Sequence, residues 1–489
     1  MKVVVVGAGL GGLSAAAHLV GAGHDVTVVE RAANAGGRAG RWESQGYTFD
    51  TGPTVLTMRG ILADTFAAAG ASLEEHVDLR PIDPMYRATF PDLEPIYVRR
   101  GREAMTAEIR GKCGPADADR FGGFCDWLTD LYGLEGPNFI DRNWDSPFDL
   151  ARPLAPALKL VRMGAFRRMA SVSRSWFRDP RLQKLFSFQA LYAGLSPFDA
   201  LAVYCVITYM DSVEGVWWPA GGIHQVVTGL TEALKGRGVE FRFSTPVNEI
   251  VRDSRGRVSG VRIESAGVIT ADVVVANPDL PAVYSELLDG MRAPRVARRG
   301  AYSPSAALWL GGVRGRLPAG CAHHNIHFGV DWEGSFANLL DDGALQADPA
   351  ILVSTPCVTD ESVAPAGGQV IYALEPVPNL DGRVDWQQAR SRVEHRLIDR
   401  LESLGYPAAS PVTSKMIDPL DWQRMGMARG TPFSLAHRFS QSGPWRPSNI
   451  DKRVPGLVLV GSGTTPGVGV PMVLLSGRLA AQRVAEMSR

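Results

Sequence analysis

The sequence predicts an α/β fold, a parallel sheet wound with helices and interrupted by an inserted mixed α+β domain, and three observations predict it. First, Lys2 to Val6 reads as a short strand that passes without spacer into Gly7-Ala8-Gly9-Leu10-Gly11-Gly12. An alanine-rich helix (Leu13 to Ala22) and a second apolar strand (Val26 to Val29) ending on Glu30 follow. Together they form a βαβ unit with its glycine turn. Second, residues from about 76 to 220 carry no such signature, which marks a domain inserted into the first. Third, buried-type strands return at Asp272 to Ala276 and Leu457 to Val460, so distant parts of the chain complete the sheet.

Each residue of the opening unit has a physical reason. Gly7 allows the tight turn, Gly9 lets a pyrophosphate approach the backbone, and Gly12 lets the helix pack close on the sheet. The helix N-terminus then offers free N–H groups and partial positive charge to phosphates. Glu30 stands where a carboxylate accepts hydrogen bonds from ribose hydroxyls, and it would repel a 2′-phosphate, which disfavours NADP. A glycine turn serving only the core would not explain strand, helix and acid together. A bound dinucleotide is expected.

Arg31 to Gly52 narrows the choice through Gly36-Gly37 followed by Arg38 and Arg41. Here the chain resembles flavoproteins of the glutathione-reductase type, with a Rossmann-like FAD-binding domain in which a second glycine–arginine segment runs along the FAD pyrophosphate. The resemblance implies FAD, held by Gly7, Gly9, Leu10, Gly12, Glu30, Arg31, Gly37, Arg38 and Gly52. Arg38 is the better phosphate contact, because a planar guanidinium clamps phosphate oxygens. Arg41 reads equally well as an ordinary surface arginine.

At 489 residues the chain is long enough for two or three domains. The expected division is an FAD-binding domain in three pieces (1–75, 225–290 and 431–489) and a substrate and membrane-associating domain in two (76–224 and 291–430). Basic and acidic side chains number 51 each, so no global field steers the protein toward nucleic acid. Cys113, Cys125, Cys205, Cys321 and Cys357 are widely spaced without a CxxC pair, which indicates neither a disulfide framework nor a metal site. Lys2 and the apolar run after it superficially resemble a secretory signal. The glycines fall at fingerprint positions, however, and the segment leads to Glu30, so it reads as the first strand. No stretch reaches the ~18 uninterrupted apolar residues that span a bilayer.

Between Leu150 and Arg178 lie Arg152, Lys159, Arg162, Arg167, Arg168, Arg174 and Arg178, with no acid, interleaved with large apolar residues such as Phe166, Trp176 and Phe177. That pattern suits a helix lying in a bilayer interface. A basic surface helix with its apolar side on the core is the plain alternative. Phe186 to Met210, aromatic and nearly uncharged, reads either as a buried helix pair or as the wall of an apolar tunnel. Trp217 and Trp218 precede a glycine turn, where they would pack or close a cavity. With the tunnel reading, Phe188, Tyr192, Trp217 and Trp218 form the expected substrate pocket.

After the last strand, Gly461-Ser462-Gly463-Thr464 turns into a Gly/Pro-rich loop whose backbone N–H groups can reach a flavin. Crowding against the ring would explain the glycines at 463, 467 and 469. The stretches Phe186-Ser187-Phe188, Gly215-Val216-Trp217-Trp218-Pro219, Phe433-Ser434-Leu435, Arg446-Pro447-Ser448-Asn449 and Gly463-Thr464-Thr465-Pro466-Gly467-Val468-Gly469-Val470-Pro471 together resemble the bacterial-type phytoene desaturases, FAD-dependent carotenoid desaturases. The likeness is collinear over nearly the whole length. The Gly-Asp of the wider superfamily is Ser462-Gly463 here, as in that family. The resemblance adds Val247, against the adenine, and Gly461, Gly463, Gly469 and Val470 to the FAD set. It also implies Asp149 and Arg152, at i and i+3, as a catalytic carboxylate–arginine pair, although a surface ion pair is the simpler account of them.

The resemblance further implies removal of hydrogens from neighbouring carbons of a linear polyene, phytoene towards lycopene in several steps, with hydride passing to the flavin and oxygen or a quinone reoxidising it. Burying one CH₂ gains ~0.8 kcal/mol, so a chain of about forty carbons resists water by on the order of 30 kcal/mol. The substrate must therefore arrive from lipid. The expected location is cytoplasmic and peripheral, on the anionic inner face of the cell membrane. Two rival readings stay open. One is another carotenoid oxidoreductase: a hydroxycarotenoid or C30 desaturase, or a ketolase. The other is a non-catalytic prenyl-chain carrier of the same architecture, as in Rab escort and GDP-dissociation-inhibitor proteins.

Overall fold

The computed structural model describes residues 1–151, 153–264 and 267–487. Among these, a five-stranded sheet has the order Leu457–Leu459, Val273–Ala276, Lys2–Val6, Asp25–Val29, Glu240–Arg242, and every neighbouring pair is parallel. Val3, Val4 and Val5 and their partners Val273, Val274 and Val275 are all buried, as parallel strands covered on both faces require. The first strand feeds helix Leu10–Gly21. A Cβ on Gly12 would lie 2.1 Å from the Gly7 carbonyl oxygen, so only glycine lets the helix start this close to the strand. The same helix meets the final helix, Val470–Met487, where Ser14 Oγ donates to the Leu474 carbonyl at 2.7 Å.

A second, seven-stranded sheet runs Thr413–Ile417, Ser305–Arg314, Gly368–Val377, Ile351–Ser354, His324–His327, Tyr86–Phe90, Leu93–Val98. Its pairs are antiparallel except His324–His327 beside Tyr86–Phe90. Side chains of Ser305–Arg314 alternate between its two faces. Ala307, Trp309 and Val313 pack beneath helix Trp386–Ser403 through Trp386, Ala389, Val393, Leu397 and Leu401, while Ala306, Leu308 and Leu310 join the main core.

The stretch 186–210 is not a regular helix pair. Phe188–Ala193 forms a 3-10 turn that ends at Gly194 (φ 72°), then come the turn Ala202–Tyr204, the short helix Cys205–Tyr209 and the π turn Met210–Glu214. No helix among the described residues is long and apolar enough to cross a membrane.

Candidate active site

One cavity of about 1950 Å³ lies between the two sheets. Sites for single ligands usually measure ~300–1,000 Å³, so this volume admits two large ones. At one end it is lined by Gly7, Gly9, Leu10, Glu30, Arg31, Gly37, Arg38, Gly52 and Val247. Gly9 caps the first helix without a side-chain hydrogen bond, which leaves the opening N–H groups of that helix directed at the cavity. Glu30 is fixed at its strand end because Oε2 accepts from Ala8 N at 2.7 Å and Oε1 from Ala32 N at 2.9 Å. Each oxygen keeps a lone pair for a hydroxyl.

The second glycine segment lies directly on the first. Gly36 N donates to the Ala8 carbonyl at 2.9 Å, and a Cβ on Gly37 (φ 56°) would come 3.3 Å from Gly9 Cα. Arg38 donates to Asp279 Oδ1 at 3.2 Å, while its buried Nε has no partner. A Cβ on Gly52 would lie 1.8 Å from the Arg38 carbonyl oxygen, so that glycine seats the Arg38 backbone. Arg31 donates to the Met425 carbonyl at the rim, and Arg41 is exposed and pairs with Glu43.

The loop after the last strand closes the same end. Gly461, Gly469 and Val470 line the cavity, with the N-terminus of the final helix behind them. Ser462 Oγ and Thr465 Oγ1 also line it, buried and unpartnered. Fully buried Arg446 holds the loop, donating to the carbonyls of Ser462 at 2.6 Å and Thr464 at 2.9 Å. Burial lowers its pKa to about 10. Two of the three glycines expected to be crowded by a ring are crowded by protein instead. Gly463 faces away from the cavity, where a Cβ would meet Leu280 Cβ at 2.9 Å, and at Gly467 one would meet His437 at 2.2 Å. Gly469 stands at φ 114°, which favours glycine whatever lies nearby.

The apolar limb of the same cavity is lined by Phe188, Tyr192, Val206, Ile207 and Met210 and by the sheet residues Leu308, Ile326 and Leu374. Phe188 and Tyr192 meet edge to face at 5.7 Å. Trp217 and Trp218, expected in the pocket, do not line this cavity. Their strand pairs with Leu79–Pro81, which carries both rings elsewhere. Trp217 lies under the guanidinium of Arg100, 4.3 Å from its ring centre, and Trp218 Nε1 donates to Asp360 at 3.1 Å.

Asp149, expected near the chemistry, closes its own turn, with Oδ2 accepting from Asp145 N at 3.0 Å and Ser146 N at 2.9 Å. It is not among the cavity-lining residues, although its neighbour Leu150 is. Arg152 lies outside the described residues.

Leu154, Ala157, Leu160 and Phe166 line the cavity too, as do Phe439, Pro444 and Trp445, and the Phe166 and Phe439 rings meet edge to face at 6.3 Å. On helix Leu154–Arg162, Ala157 and Leu160 face the cavity. Leu158 and Val161 are exposed away from the cavity, and Leu154, at i−4 from Leu158, is exposed at the cavity's edge. Phe148 is 89% exposed, and Lys159, Arg162, Arg167 and Arg168 are exposed as well. Two other apolar residues of the basic segment belong to the core: Phe177 packs edge-on against Phe124 at 5.0 Å, and Trp176 lies 5.8 Å from the same ring.

A family model described as flavin containing amine oxidoreductase matches residues 10–485. The chain is 42% identical to the phytoene dehydrogenase of Streptomyces griseus, over 99% of this chain and 94% of that protein. It belongs to the phytoene desaturase family of flavin-containing oxidoreductases. A zeta-carotene-forming phytoene desaturase of Myxococcus xanthus is 37% identical over 99% of this chain and 93% of its own. An oxidoreductase from Methanosarcina mazei, 18% identical and superposing with a TM-score of 0.65 over 99% of this chain and all of its own, shares the fold. As a family member the enzyme is an FAD-dependent oxidoreductase.

The orphaned polar atoms fit that cofactor. A buried donor without a partner costs ~1–3 kcal/mol, and Arg38 Nε, Ser462 Oγ and Thr465 Oγ1 lack one, all in residues that line this end of the cavity. Sequence reading missed four further groups. Asn277, whose Nδ2 donates to the Gly7 carbonyl at 3.3 Å, and Asp279 stand at a strand's C-terminal end, where open α/β sheets bind ligands. Glu135 and Asp211 are buried carboxyls lining the apolar limb. Burial pushes Glu135 well above the ordinary range, and pushes Asp211 up to about 7. No local sequence signal marks either.

Proposed function

We propose that this enzyme desaturates a linear carotenoid, converting phytoene towards lycopene by successive dehydrogenations. The observation that carries the reading is continuity: one cavity is lined by the glycine cradle, by the apolar limb and by the exposed side chains of Leu154, Phe166, Phe439 and Trp445. Bound FAD supplies the two-electron acceptor. Gly7, Gly9, Leu10 and Arg38 would hold its pyrophosphate, Glu30 the ribose, Val247 the adenine end, and Gly461, Ser462, Thr465, Gly469 and Val470 the flavin end. Gly12, Gly52 and Gly463 act indirectly, by letting backbone segments approach. Phe188, Tyr192 and Leu374 exclude water and align the chain.

The membrane half of the proposal rests on the limb's outer end. Leu154, Leu158, Val161, Phe148, Phe439 and Trp445 would enter the acyl boundary, while Lys159, Arg162, Arg167 and Arg168 meet anionic headgroups at ~1 kcal/mol each, about 4 kcal/mol together. A polyene then moves from lipid to limb without crossing water. Attachment is peripheral, at the inner face of the cell membrane, and oxygen or a membrane quinone reoxidises the flavin. The test is incubation with phytoene in anionic liposomes plus FAD, following the product's absorption. Relatives are named for products ranging from zeta-carotene to lycopene, so the length of the new chromophore counts the steps. No change with phytoene, but conversion of a hydroxylated carotenoid, would replace this reading with the neighbouring one.

A further inference from the structure

We propose that Asp211 is the base that takes the proton released when hydrogen is removed from a chain held against Phe188 and Tyr192. The inference rests on the carotenoid reading above and assigns a residue to the half of the reaction that the flavin does not perform. Asp211 sits in the π turn Met210–Glu214, a distortion frequent at functional sites. It is 1% exposed to solvent yet lines the cavity. Its neighbour Met210 forms a small apolar cluster with Met58 and Val206, against which Met472, in the first turn of the final helix, also packs.

The surroundings suit an anion that forms and is quenched in place. Gln189 Nε2 faces both carboxylate oxygens, at 3.4 and 3.3 Å, and Ser212 Oγ donates to Oδ1 at 2.6 Å. No lysine or arginine among the described residues forms a salt bridge with it. The other titratable groups facing it are Tyr86 and Tyr192, whose phenols burial holds well above their ordinary pKa and therefore neutral. Desolvation raises the Asp211 carboxyl to about 7, against the opposing hydrogen bonds from Ser212 and Gln189. A general base works best with its pKa near the working pH. Glu135, the other buried carboxyl of this limb, is held well above the ordinary range by burial alone, with no hydrogen bond among the causes to favour its anion.

The step balances as follows. Bound FAD would supply the two-electron acceptor, and one C–H bond of the chain would leave with its electron pair as hydride. The neighbouring C–H bond releases its proton to the Asp211 carboxylate, and the electron pair left behind becomes the new π bond. Hydride and proton together account for the two hydrogens removed, and the neutral Asp211 acid returns its proton to the medium before the next round.

The experiment compares wild type, Asp211→Asn and Asp211→Glu for flavin reduction by liposomal phytoene across pH, for FAD content, and for retained phytoene. Asp211→Asn should keep FAD and phytoene within about twofold, slow flavin reduction by ~10²-fold or more, and remove an acid limb centred near pH 7. Asp211→Glu should restore the limb. In FAD-free protein, the infrared difference between wild type and Asp211→Asn should show one carboxyl band that titrates near pH 7. If Asp211→Asn does not fold, Gln189→Leu serves: losing the amide that holds the anion should move the acid limb to higher pH. Flavin reduction by Asp211→Asn within threefold of wild type, an acid limb unmoved by either substitution, or no titrating band overturns the base alone. Wild-type flavin that phytoene never reduces overturns the functional reading, and the base with it.

Discussion

Arg446 donates to the carbonyl of Ser462 at 2.6 Å, and its guanidinium spends its other bonds on the carbonyls of Thr464 and Leu435. A fully buried cation is thus satisfied by backbone oxygens, with no carboxylate in salt-bridge contact among the described residues. This clamp sets the path of the loop from Gly461 to Thr465. Arg446→Met strips charge-assisted bonds from buried carbonyls and should cost about 3 kcal/mol, read as a lower urea midpoint. Less FAD should survive gel filtration. Arg446→Lys restores the charge without the planar fork and should fall between the two. Unchanged FAD retention in Arg446→Met would show that the loop holds its shape unaided.

The aromatic residues divide by location. Trp217→Phe changes a ring stacked under Arg100 outside the cavity, so the product spectrum should stay that of wild type. Trp218→Phe removes the indole donor to buried Asp360 and should cost ~1–2 kcal/mol of stability with the same product. Tyr192→Ala opens the limb beside Phe188 and should change the product distribution. A product shift with Trp217→Phe as large as that with Tyr192→Ala would return the tryptophans to the pocket.

What could be read in advance follows from how far apart the cooperating residues lie. The cradle is legible because Gly7 to Gly12, Glu30 and Gly36 to Arg38 are near neighbours in the chain, each with a conformational or charge requirement that its residue type betrays. Arg446 reaches the same place from over four hundred residues away, so its stretch supports the family resemblance while nothing near it in the chain tells that the guanidinium is buried on the Ser462 carbonyl. Asp211 resembles an ordinary acid at a helix end, since nothing adjacent to it says that the turn is buried. The tryptophan pair misled because a glycine turn nearby suggested a lid, whereas register with Leu79–Pro81 decides where the rings go. In the basic segment, composition identified an amphipathic surface but could not sort Phe166, at the opening, from Phe177, in the core. The parallel pairing of His324–His327 with Tyr86–Phe90 joins segments too distant for any local pattern to announce.

The proposed membrane attachment divides into two separable parts, the exposed apolar side chains of Leu154, Leu158 and Val161 and the cations beside them. Replacing all three by serine should weaken binding to anionic vesicles several-fold with little effect on its salt dependence, because it removes inserted apolar area. Lys159→Glu with Arg162→Glu should weaken binding at low salt and flatten the salt dependence, since each cation near an anionic surface contributes ~1 kcal/mol that screening removes. Vesicle co-sedimentation over a salt series reads both. Equal binding to neutral and anionic vesicles by wild type and both variants would place the opening away from the bilayer.

Buried carboxyls should also give the stability a characteristic pH profile. Burial raises Asp50, Asp211 and Glu375 to about 7 each, whereas in the unfolded chain such groups titrate at ~3.9 to 4.3. Between those values the native state holds more protons than the unfolded one, so their contribution is complete below about pH 4 and is lost as pH rises through about 7. His18 and His324, lowered to about 4 by burial, act in the opposite sense, because their contribution is present above ~6.5 and lost as pH falls. Above ~6.5 only the carboxyl contribution still changes. Unfolding midpoints in urea should therefore fall from about pH 6.5 to pH 8. Asp50 isolates one contributor, since its oxygens accept from Ile223 N at 2.8 Å and His224 N at 3.1 Å at the start of helix His224–Gly236. Asp50→Asn loses part of that cap and should be less stable than wild type at about pH 5, by ~1 kcal/mol. Asparagine does not ionise, so the gap should narrow as wild-type Asp50 gives up its proton. A gap constant from about pH 5 to pH 8 would mean that Asp50 is already ionised throughout that range, with the two backbone donors outweighing its burial.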